Sequence, residues 1–339
     1  INNIIDLNGS SAYGIYLFSG SNSNTLSNNT ITTSNTDGHG IDLLTSSNSN
    51  TLSSNTITTN ETSAYGIWFS SSSSNNATNN KINASGTTTD GVLIDSDSNN
   101  NILNLNNITF SGKDGIRIIN ASSSIPDNNK ITNNIIFNST NNGIYIISTN
   151  ITNFSTLIYN NNISSNPVNI NISGALYVNL TNNTLECVGC TYDIYVNGNG
   201  SLISLNNSFN EAKVLIKDAS NLTVAYFIDI NLTNSTGNQQ LTFANVTLYS
   251  NLTTNWNSLF VNLSTDSTGL TPLQYVIAYI RNSTGNYTNN ETGYLPYNIT
   301  GNVSNYNMNS TVEWLKRGDR INLRLGAATI IPPATYCNG

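Results

Sequence analysis

A short glycine-led phrase returns at a nearly constant interval through the first half of this sequence. It starts at Gly14 (Gly-Ile-Tyr-Leu), and later copies follow at intervals of 24 to 28 residues, at Gly40, Gly66, Gly91, Gly115 and Gly143. A second column keeps the same phase, with an Asn two residues before an apolar residue at Asn2, Asn29, Asn55, Asn80, Asn106, Asn134, Asn161, Asn183 and Asn207. Two columns in step over roughly nine copies predict a repeat architecture.

Each copy contains short runs of alternating polarity. Ile15 and Leu17 alternate with Tyr16 and Phe18, and Ser, Asn, Thr and Gly fill the gaps between runs. Alternation indicates strands, and the gap residues are turn formers. Helical repeats are therefore excluded, and the leucine-rich signature is absent. A coil made only of strands and turns predicts a parallel β-helix, with coils about 4.8 Å apart.

This geometry assigns a place to both columns. The apolar column is expected to stack on itself inside the helix, and its members are Ile15, Ile41, Ile67, Val92, Ile116 and Ile144. The Asn column is expected to form a structural ladder of amide hydrogen bonds at one corner, as in stacked cross-β amides. The predicted ladder residues are Asn29, Asn55, Asn80, Asn106, Asn134, Asn161, Asn183 and Asn207.

The Gly-Ile-x-Ile and Asn-Asn-x-Ile phrases resemble the right-handed parallel β-helix proteins of the pectate-lyase-like class. The resemblance covers residues 1–222 and implies an all-β, right-handed solenoid of about nine coils. That class includes lyases, hydrolases, epimerases, phage tailspikes and surface adhesins, so the resemblance implies a fold and no single activity.

The period disappears after Val224, where longer alternating strands with Ser-Thr-Gly turns replace it. The strands are expected at residues 225–231, 240–249, 258–264, 273–281, 295–303 and 320–325. Their spacing predicts a small antiparallel β-sandwich at residues 223–326, with residues 327–339 as a linker or tail. The phrases Ala244-Asn-Val-Thr-Leu-Tyr and Ser264-Thr-Asp-Ser-Thr-Gly-Leu resemble transthyretin-like and carboxypeptidase-regulatory-like modules.

Composition excludes some functions and suggests a compartment. Only 9% of the 339 residues are charged and the net charge is −7, which excludes an electrostatic nucleic-acid binder. No apolar run approaches the ~18 residues of a membrane span. Asn-x-Ser/Thr sequons are frequent, which suits a secreted glycoprotein. The glycosylation candidates are Asn28, Asn76, Asn120, Asn153, Asn231, Asn251, Asn282 and Asn290.

Three cysteines are present. Cys187 and Cys190 form a Cys-x-x-Cys motif within a turn, where a local disulfide or a metal half-site are the alternatives. No second pair or His cluster accompanies them, which favours the disulfide. We therefore expect no metal and no cofactor. Cys337 is left over near the C-terminus.

The segment Asn35-Thr-Asp-Gly-His-Gly-Ile-Asp42 resembles two polygalacturonase phrases, Asn-Thr-Asp and Gly-His-Gly. The resemblance implies catalytic roles for Asp37, His39 and Asp42. In this chain, however, the phrases are fused in one turn and no Asp-Asp pair exists. Arg117-Ile-Ile also lacks the Lys of the family's Arg-Ile-Lys. Inverting hydrolysis needs two carboxylates about 6.5–9.5 Å apart, which a single turn seldom supplies.

Two groups of charged residues suit a Ca²⁺-dependent lyase, which needs converging carboxylates and a Lys or Arg base. One contains Asp90, Asp95 and Asp97, and the other contains Lys113, Asp114 and Arg117. The alternative interpretation is solvated turns and surface ion pairs, which we favour. The Asp-Pro-His phrase of the epimerase family is absent.

A further column is expected on the outer face, beside the interior Ile column. Its candidate ligand- or partner-contacting residues are Tyr16, Trp68, Arg117, Tyr145 and Tyr195, and its other members are Asp42, Leu93 and Asn171. Aromatic rings could stack on sugars or contact another protein, where aromatic residues and Arg are enriched. They also have high strand propensity without any further role.

The sequence thus favours an extracellular structural surface protein without enzymatic activity, adhesin-like or filament-forming. The ground is a single His, few carboxylates and no convergent charged cluster. Its expected partners are other copies of itself, joined head to tail through open coil edges, and surface glycans. The alternatives are a polysaccharide hydrolase or lyase acting in a groove of the β-helix, and a carbohydrate-binding protein.

Overall fold

The computed structural model describes residues 1–9, 11–120, 126–153, 155–250, 258–286, 296–314 and 320–327. They form two compact units, Ile1–Thr223 with Arg281–Gly285, and Val224–Ile280 with Asn286–Gly339. The first unit consists of short parallel strands, and its one described helical turn is a 3₁₀ turn at Glu211–Lys213. Within the described residues, no helix is both long and apolar enough to traverse a bilayer.

Three parallel sheets run along the first unit. Sheet A contains β1 (Ile4–Leu7), β4 (Thr30–Thr33), β7 (Thr56–Thr59), β10 (Lys81–Ala84), β13 (Asn107–Thr109), β16 (Ile135–Phe137), β19 (Asn162–Ser164) and β22 (Thr184–Glu186). Sheet B contains β2 (Ile15–Phe18), β5 (Ile41–Leu44), β8 (Ile67–Ser70), β11 (Val92–Asp95), β14 (Asp114–Asn120), β17 (Asn142–Asn153), β20 (Val168–Leu176), β23 (Tyr192–Asn197) and β25 (Val214–Ile216). Sheet C begins with β3 (Thr25–Ser27), β6 (Thr51–Ser53), β9 (Asn76–Thr78), β12 (Ile102–Asn104), β15 (Lys130–Thr132), β18 (Leu157–Tyr159), β21 (Val178–Thr181) and β24 (Ser201–Leu205).

Each coil gives one strand to each sheet, which confirms the predicted parallel β-helix. Register is kept from coil to coil, with Ile41 opposite Ile67 and Ile67 opposite Val92. Five members of the interior column are fully buried, at Ile41, Ile67, Val92, Ile116 and Ile144. Ile15 differs from the expectation because it is only half-buried. It lies in the first coil, which is covered by a neighbouring coil on one side only.

The glycine column is explained by crowding at the start of sheet B. A Cβ added to Gly66 would lie 2.5 Å from the Gly91 carbonyl oxygen and 2.5 Å from Ile82 Cγ2. The same two kinds of neighbour, a glycine carbonyl and a sheet A isoleucine, crowd Gly14, Gly40, Gly91 and Gly115. A larger residue at these five positions would press on the adjacent coil or on the interior, so these coils need glycine. Asn169 and Asp193 occupy the equivalent position in later coils.

The Asn column lies buried at the corner between sheets C and A. In the centre of the ladder, Asn55 donates from its backbone N and its Nδ2 to Asn80 Oδ1, at 3.0 and 2.9 Å. Asn80 donates in the same way to Asn106 Oδ1 and also to the Leu52 carbonyl. The ladder residues Asn29, Asn55, Asn80, Asn106, Asn134, Asn161, Asn183 and Asn207 are all at most 7% exposed. The first rung is Asn3 and not Asn2, because Ile4 pairs with Thr30 and this places Asn3 opposite Asn29.

A second Asn ladder precedes sheet C and was not predicted. Asn50 donates from its backbone N and Nδ2 to Asn75 Oδ1, and Asn75 donates likewise to Asn101 Oδ1. Asn24 and Asn129 extend it at the two ends. In the coils that contain Asn50, Asn75 and Asn101, two corners are thus closed by buried amides.

The remaining strands are β26 (Asn221–Asn234), which starts in the first unit, β27 (Asn245–Ser250), β28 (Ser258–Ser264), β29 (Gln274–Asn282) and β30 (Gly285–Asn286), which both include residues of the first unit, β31 (Pro296–Asn302), β32 (Asn309–Trp314) and β33 (Arg320–Leu325). Strands β28, β27, β31 and β32 form an antiparallel sheet in that order. An added Cβ at Gly301 would lie 2.7 Å from Leu232 Cδ1 and 2.9 Å from Leu323 Cδ2. The antiparallel sheet therefore packs on β26 and β33, as expected for a sandwich. The pairing of β26 with β33 is parallel, and β32 was not predicted.

Candidate functional site

The outer face of sheet B concentrates aromatic, acidic and basic side chains along two adjacent columns. The first, the central column, follows strand register through Tyr16, Asp42, Trp68, Leu93, Arg117, Tyr145, Asn171 and Tyr195. The second, the glycine-flanking column, contains the residue before each glycine, namely Tyr13, His39, Tyr65, Asp90, Asp114 and Asn142. Its register is fixed by backbone bonds, such as Gly40 N to the Tyr65 carbonyl and Gly66 N to the Asp90 carbonyl.

The first coils of this face carry an aromatic patch, which we define as Tyr13, Tyr16, Phe18, His39, Tyr65 and Trp68. The His39 ring stacks on Tyr65 with centroids 4.8 Å apart and on Tyr13 at 5.4 Å. Trp68 meets His39 edge to face at 5.2 Å. Tyr13, Tyr16 and Phe18 remain 39–49% exposed. Exposed rings held by stacking form a rigid apolar platform of the kind on which sugar rings pack.

The following coils carry an acid–arginine cluster, which we define as Asp90, Asp95, Asp114 and Arg117. Arg117 Nη1 lies 3.3 Å from Asp90 Oδ2, and the backbone N of Asp114 donates to Asp90 Oδ1 at 3.2 Å. Asn142 donates to Asp114 Oδ1 from its Nδ2 at 2.6 Å and from its backbone N at 3.2 Å. Trp68 Nε1 donates to Asp95 Oδ2 at 3.1 Å, which joins the cluster to the aromatic patch.

Burial shifts the acid–base properties of the cluster. Burial, reinforced by the charge of Asp114 and opposed by Arg117, raises the pKa of Asp90 to about 7. Burial also raises the pKa of Asp95 and Asp114, against hydrogen bonds and positive charges that lower it. Titration near neutral pH is the property that proton-transfer groups require, and such groups gather at functional sites.

Asp42 lies in the central column between Tyr16 and Trp68. Its side chain is 0% exposed, and neither carboxylate oxygen has a hydrogen-bond partner. Burial raises the pKa of Asp42 to about 8, so that it is largely protonated at neutral pH. A buried acid without a partner destabilises the fold, and such an arrangement is typical of a functional surface.

The three residues of the fused polygalacturonase-like phrase occupy different environments. Asp37 is exposed, whereas His39 and Asp42 are buried. His39 Nδ1 accepts a hydrogen bond from the Tyr65 backbone N at 2.8 Å, and burial lowers the pKa of His39 to about 4. His39 is therefore a neutral ring that packs in the aromatic patch, with Nδ1 engaged as an acceptor.

The structure combines members of the two charged groups that were predicted from the sequence. Asp90, Asp114 and Arg117 come from different groups and meet in one cluster, while Asp97 is exposed outside it. The sequence interpretation missed Tyr13 and Tyr65. Both stand at the same offset before the glycine column as His39, and this shared position is the signal that could have identified them.

The central column lies on the outer face as expected, but it is covered unevenly. Trp68, Arg117, Tyr145 and Tyr195 are half-buried and Tyr16 is exposed. Asp42 and Leu93 are buried instead, at 0% and 4% exposure.

Cys187 and Cys190 are joined by a disulfide. Asp193 lies beside them, but sulfurs engaged in a disulfide are not thiolate ligands for a metal. Cys337 lies outside the described residues.

The glycosylation candidates differ in exposure. Asn28 is exposed, and Asn76, Asn231 and Asn282 are partly exposed. Asn120 is a correction: it is 1% exposed because it continues the inward-facing series of Ile116 and Ile118 on β14. Asn251, Asn290 and the side chain of Asn153 lie outside the described residues.

Comparison with known proteins agrees with the fold. Residues 1–156 match the family model of the right-handed β-helix region, which confirms the predicted handedness. No curated protein matches the sequence.

Solved structures similar to this chain include several enzymes. The periplasmic alginate epimerase AlgG is 14% identical with a TM-score of 0.46, over 57% of this chain and 49% of the epimerase. The Azotobacter vinelandii mannuronan C-5 epimerase AlgE6 A-module is 15% identical with a TM-score of 0.41, over 59% and 54%. The enzymatically active domain of bacteriophage CBA120 tailspike protein 2 is 12% identical with a TM-score of 0.38, over 84% and 56%. The chain thus spans about half the length of these proteins, and the likeness is one of fold.

The expectation that this chain is not an enzyme is therefore corrected. The structures that share its fold include two epimerases and an enzymatically active domain. The ground for the expectation also fails, because the described residues contain a convergent charged cluster. Neighbouring coils bring Asp90, Asp114 and Arg117 together, although they lie up to 27 residues apart in sequence.

Proposed function

We propose that this chain acts on an acidic polysaccharide that lies along the outer face of sheet B. The observation that carries the proposal is the continuity of the aromatic patch with the acid–arginine cluster, joined by the Trp68–Asp95 hydrogen bond. Coils repeat every ~4.8 Å, close to the length of one sugar unit, so successive sugars can meet successive coils. Aromatic faces bind sugar rings, and Arg117 supplies a cation for a carboxylate.

Charge favours an acidic substrate over a neutral one. Burial raises the pKa of Asp42 to about 8, so this acid is largely neutral at neutral pH and repels an anionic chain little. Arg117 is partly exposed, with 18% of its side chain accessible, and Asp90 holds it from below. A guanidinium is well suited to a sugar carboxylate, with which it forms two parallel hydrogen bonds.

The reaction class that fits these groups is proton abstraction at the carbon next to the sugar carboxylate, as in a polysaccharide lyase or an epimerase. Arg117 binds and neutralises the substrate carboxylate, which makes the adjacent C–H more acidic. Asp95, a partly exposed residue whose carboxyl feels the charge of Arg117, is assigned as the base. Burial raises the pKa of Tyr145, the next residue in the central column, so its phenol stays protonated. In a lyase Tyr145 donates its proton to the glycosidic oxygen as the bond from C4 to that oxygen breaks; in an epimerase it returns a proton to the same carbon from the opposite face.

The cell exterior is the proposed setting. The disulfide between Cys187 and Cys190 supports this setting, because disulfides form and persist in oxidising compartments. Glycosylation at exposed sequons and head-to-tail self-assembly remain predictions.

The test is an assay of oligomannuronate and oligogalacturonate, with cellohexaose as a neutral control. New unsaturated ends are followed by ultraviolet absorbance, and exchange of the C5 proton by NMR in D₂O. Arg117→Met and Asp95→Asn should each lower turnover by at least 100-fold, while Arg320→Met on the second unit should leave it unchanged. Binding without turnover by the unaltered protein would refute the catalytic assignment.

A further inference from the structure

Sheet A carries a groove on its outer face that the proposed function does not use. It is an open depression of about 270 Å³, and its lining includes Thr56, Thr58, Lys81, Asn83, Asn107 and Thr109, from three successive coils. Register places Thr56 opposite Lys81 and Lys81 opposite Asn107, so the lining forms two short columns across the coils.

The groove contains polar groups without partners. The Oδ1 atoms of Asn83 and Asn107 are buried and accept no hydrogen bond. Buried acceptors without partners destabilise the fold, and a ligand that donates to them removes that cost. The terminal torsion of an Asn side chain is broad, so a small rotation presents either amide oxygen to a ligand in the groove. Hydroxyl groups of a sugar are suitable donors.

The one charge in the groove and the apolar side chains at one end of it indicate which class of ligand it would bind. Lys81 is exposed and is the one charged residue in the lining. In the next coil, Ile135 and Phe137 stand opposite Asn107 and Thr109. Phe110 lies 6.1 Å from the Phe137 ring, is 51% exposed and has φ 53°. A bulky residue in the left-handed region is strained, and here it places an apolar ring next to a polar groove.

We propose that this groove binds an acidic oligosaccharide, separately from the sheet B site. Its hydroxyl and amide lining pairs with sugar hydroxyls, Lys81 pairs with a sugar carboxylate, and Phe137 with Phe110 packs on a ring face. The groove would bind the same class of ligand as the proposed function, and this binding does not depend on catalysis at sheet B. It would hold one stretch of a polymer while another stretch occupies sheet B.

The test is calorimetric titration with a mannuronate hexamer, with cellohexaose as the neutral probe. The unaltered protein should bind two hexamers, and the paired change Lys81→Ala with Asn83→Ala should weaken one site at least tenfold. Asn162→Ala is the matched control, because Asn162 is exposed on the same face of sheet A two coils beyond Asn107. Lys81→Glu, a surface charge reversal that should not disturb folding, should weaken binding of the acidic hexamer alone.

Arg117→Met separates the two proposals. If Arg117→Met abolishes turnover and leaves the Lys81-dependent binding site intact, both proposals stand. If the unaltered protein shows no turnover but has the Lys81-dependent site, only the catalytic proposal fails. A single binding site that Arg117→Met removes, or no hexamer binding at all, would overturn the sheet A groove. Both Asn83 and Asn107 stand in sequons, so a glycan attached to either in the native protein would also contradict the inference.

Discussion

Two regions of the β-helix bury polar side chains at the same coil spacing, with opposite results for hydrogen bonding. At the corner ladder, Asn80 has partners for its oxygen and for its amide nitrogen, on the coils before and after it. On the outer face of sheet B, Asp42 is equally buried and neither of its oxygens has a partner.

This difference separates residues that build the fold from residues that the fold supports. The hydrogen-bonded amides stabilise the corners and fix the register between coils. Their burial costs little free energy, because each hydrogen bond to water is replaced by one within the protein. Unsatisfied acids weaken the fold, so we infer that their presence on one face serves binding and chemistry. The predictions below test this separation.

The largest effect is expected at the ladder. Asn80→Ala should lower the free energy of unfolding by about 3 kcal/mol, because it leaves the buried Asn55 amide and the Leu52 carbonyl without their partners. Urea denaturation followed by circular dichroism measures it. Asn162→Ala, at an exposed Asn on β19 of the same β-helix, should change the stability by less than about 0.5 kcal/mol. Equal effects of the two changes would remove the distinction between ladder and surface amides.

A smaller loss is expected at the glycine column. Gly66→Ala places a Cβ against the Gly91 carbonyl and Ile82, and should cost about 2 kcal/mol through overpacking. Gly9→Ala is the control, since a Cβ at Gly9 meets nothing within 4 Å. Thermal unfolding of both variants would show whether coil contact, and not glycine content, explains the repeat.

On the outer face of sheet B, the expected effect is a dependence of stability on pH. The folded pKa of Asp42, about 8, lies above its ordinary value, so the native state binds more protons than the unfolded state between about pH 4 and 8. Stability should fall by about 1 kcal/mol per pH unit as the pH rises toward 8. The lowered pKa of His39 acts in the opposite direction below about pH 6.5, so the window from 6.5 to 8 isolates the acids.

Asp42→Asn should reduce this slope, because an amide does not titrate. Asp97→Asn, at an exposed position, should retain it. Chemical denaturation at pH 6.5, 7 and 8 makes the comparison, and an unchanged slope in Asp42→Asn would show that Asp42 is ionised or solvated in the native state.

Much of this fold follows from sequence, because one residue type meets the same geometric need in successive coils. Gly66 is required by a carbonyl and a methyl group that recur each turn, and Asn80 by two amide partners that recur likewise. Each such requirement produces a column of identical residues at a regular interval, which can be recognised in the sequence. The second Asn ladder has the same spacing, and was missed because Asn50 and Asn75 sit among many other Asn and Ser residues.

The acid–arginine cluster was harder to recognise. It draws on two adjacent columns: Asp90 and Asp114 precede glycines in successive coils, whereas Arg117 belongs to the central column, so the sequence shows no single motif that contains all three. Their proximity appears only when the coils are placed in register. The burial that changes the pKa of Asp90 depends on neighbours from several coils and has no local signal.

The central claim is that the outer face of sheet B holds an acidic polysaccharide, and a crystal structure of Asp95→Asn soaked with a mannuronate hexamer tests it most directly. The account predicts sugar rings against Tyr16 and Trp68 and a sugar carboxylate within hydrogen-bonding distance of Arg117. A hexamer bound only elsewhere, with this face unoccupied at saturating concentration, would contradict it.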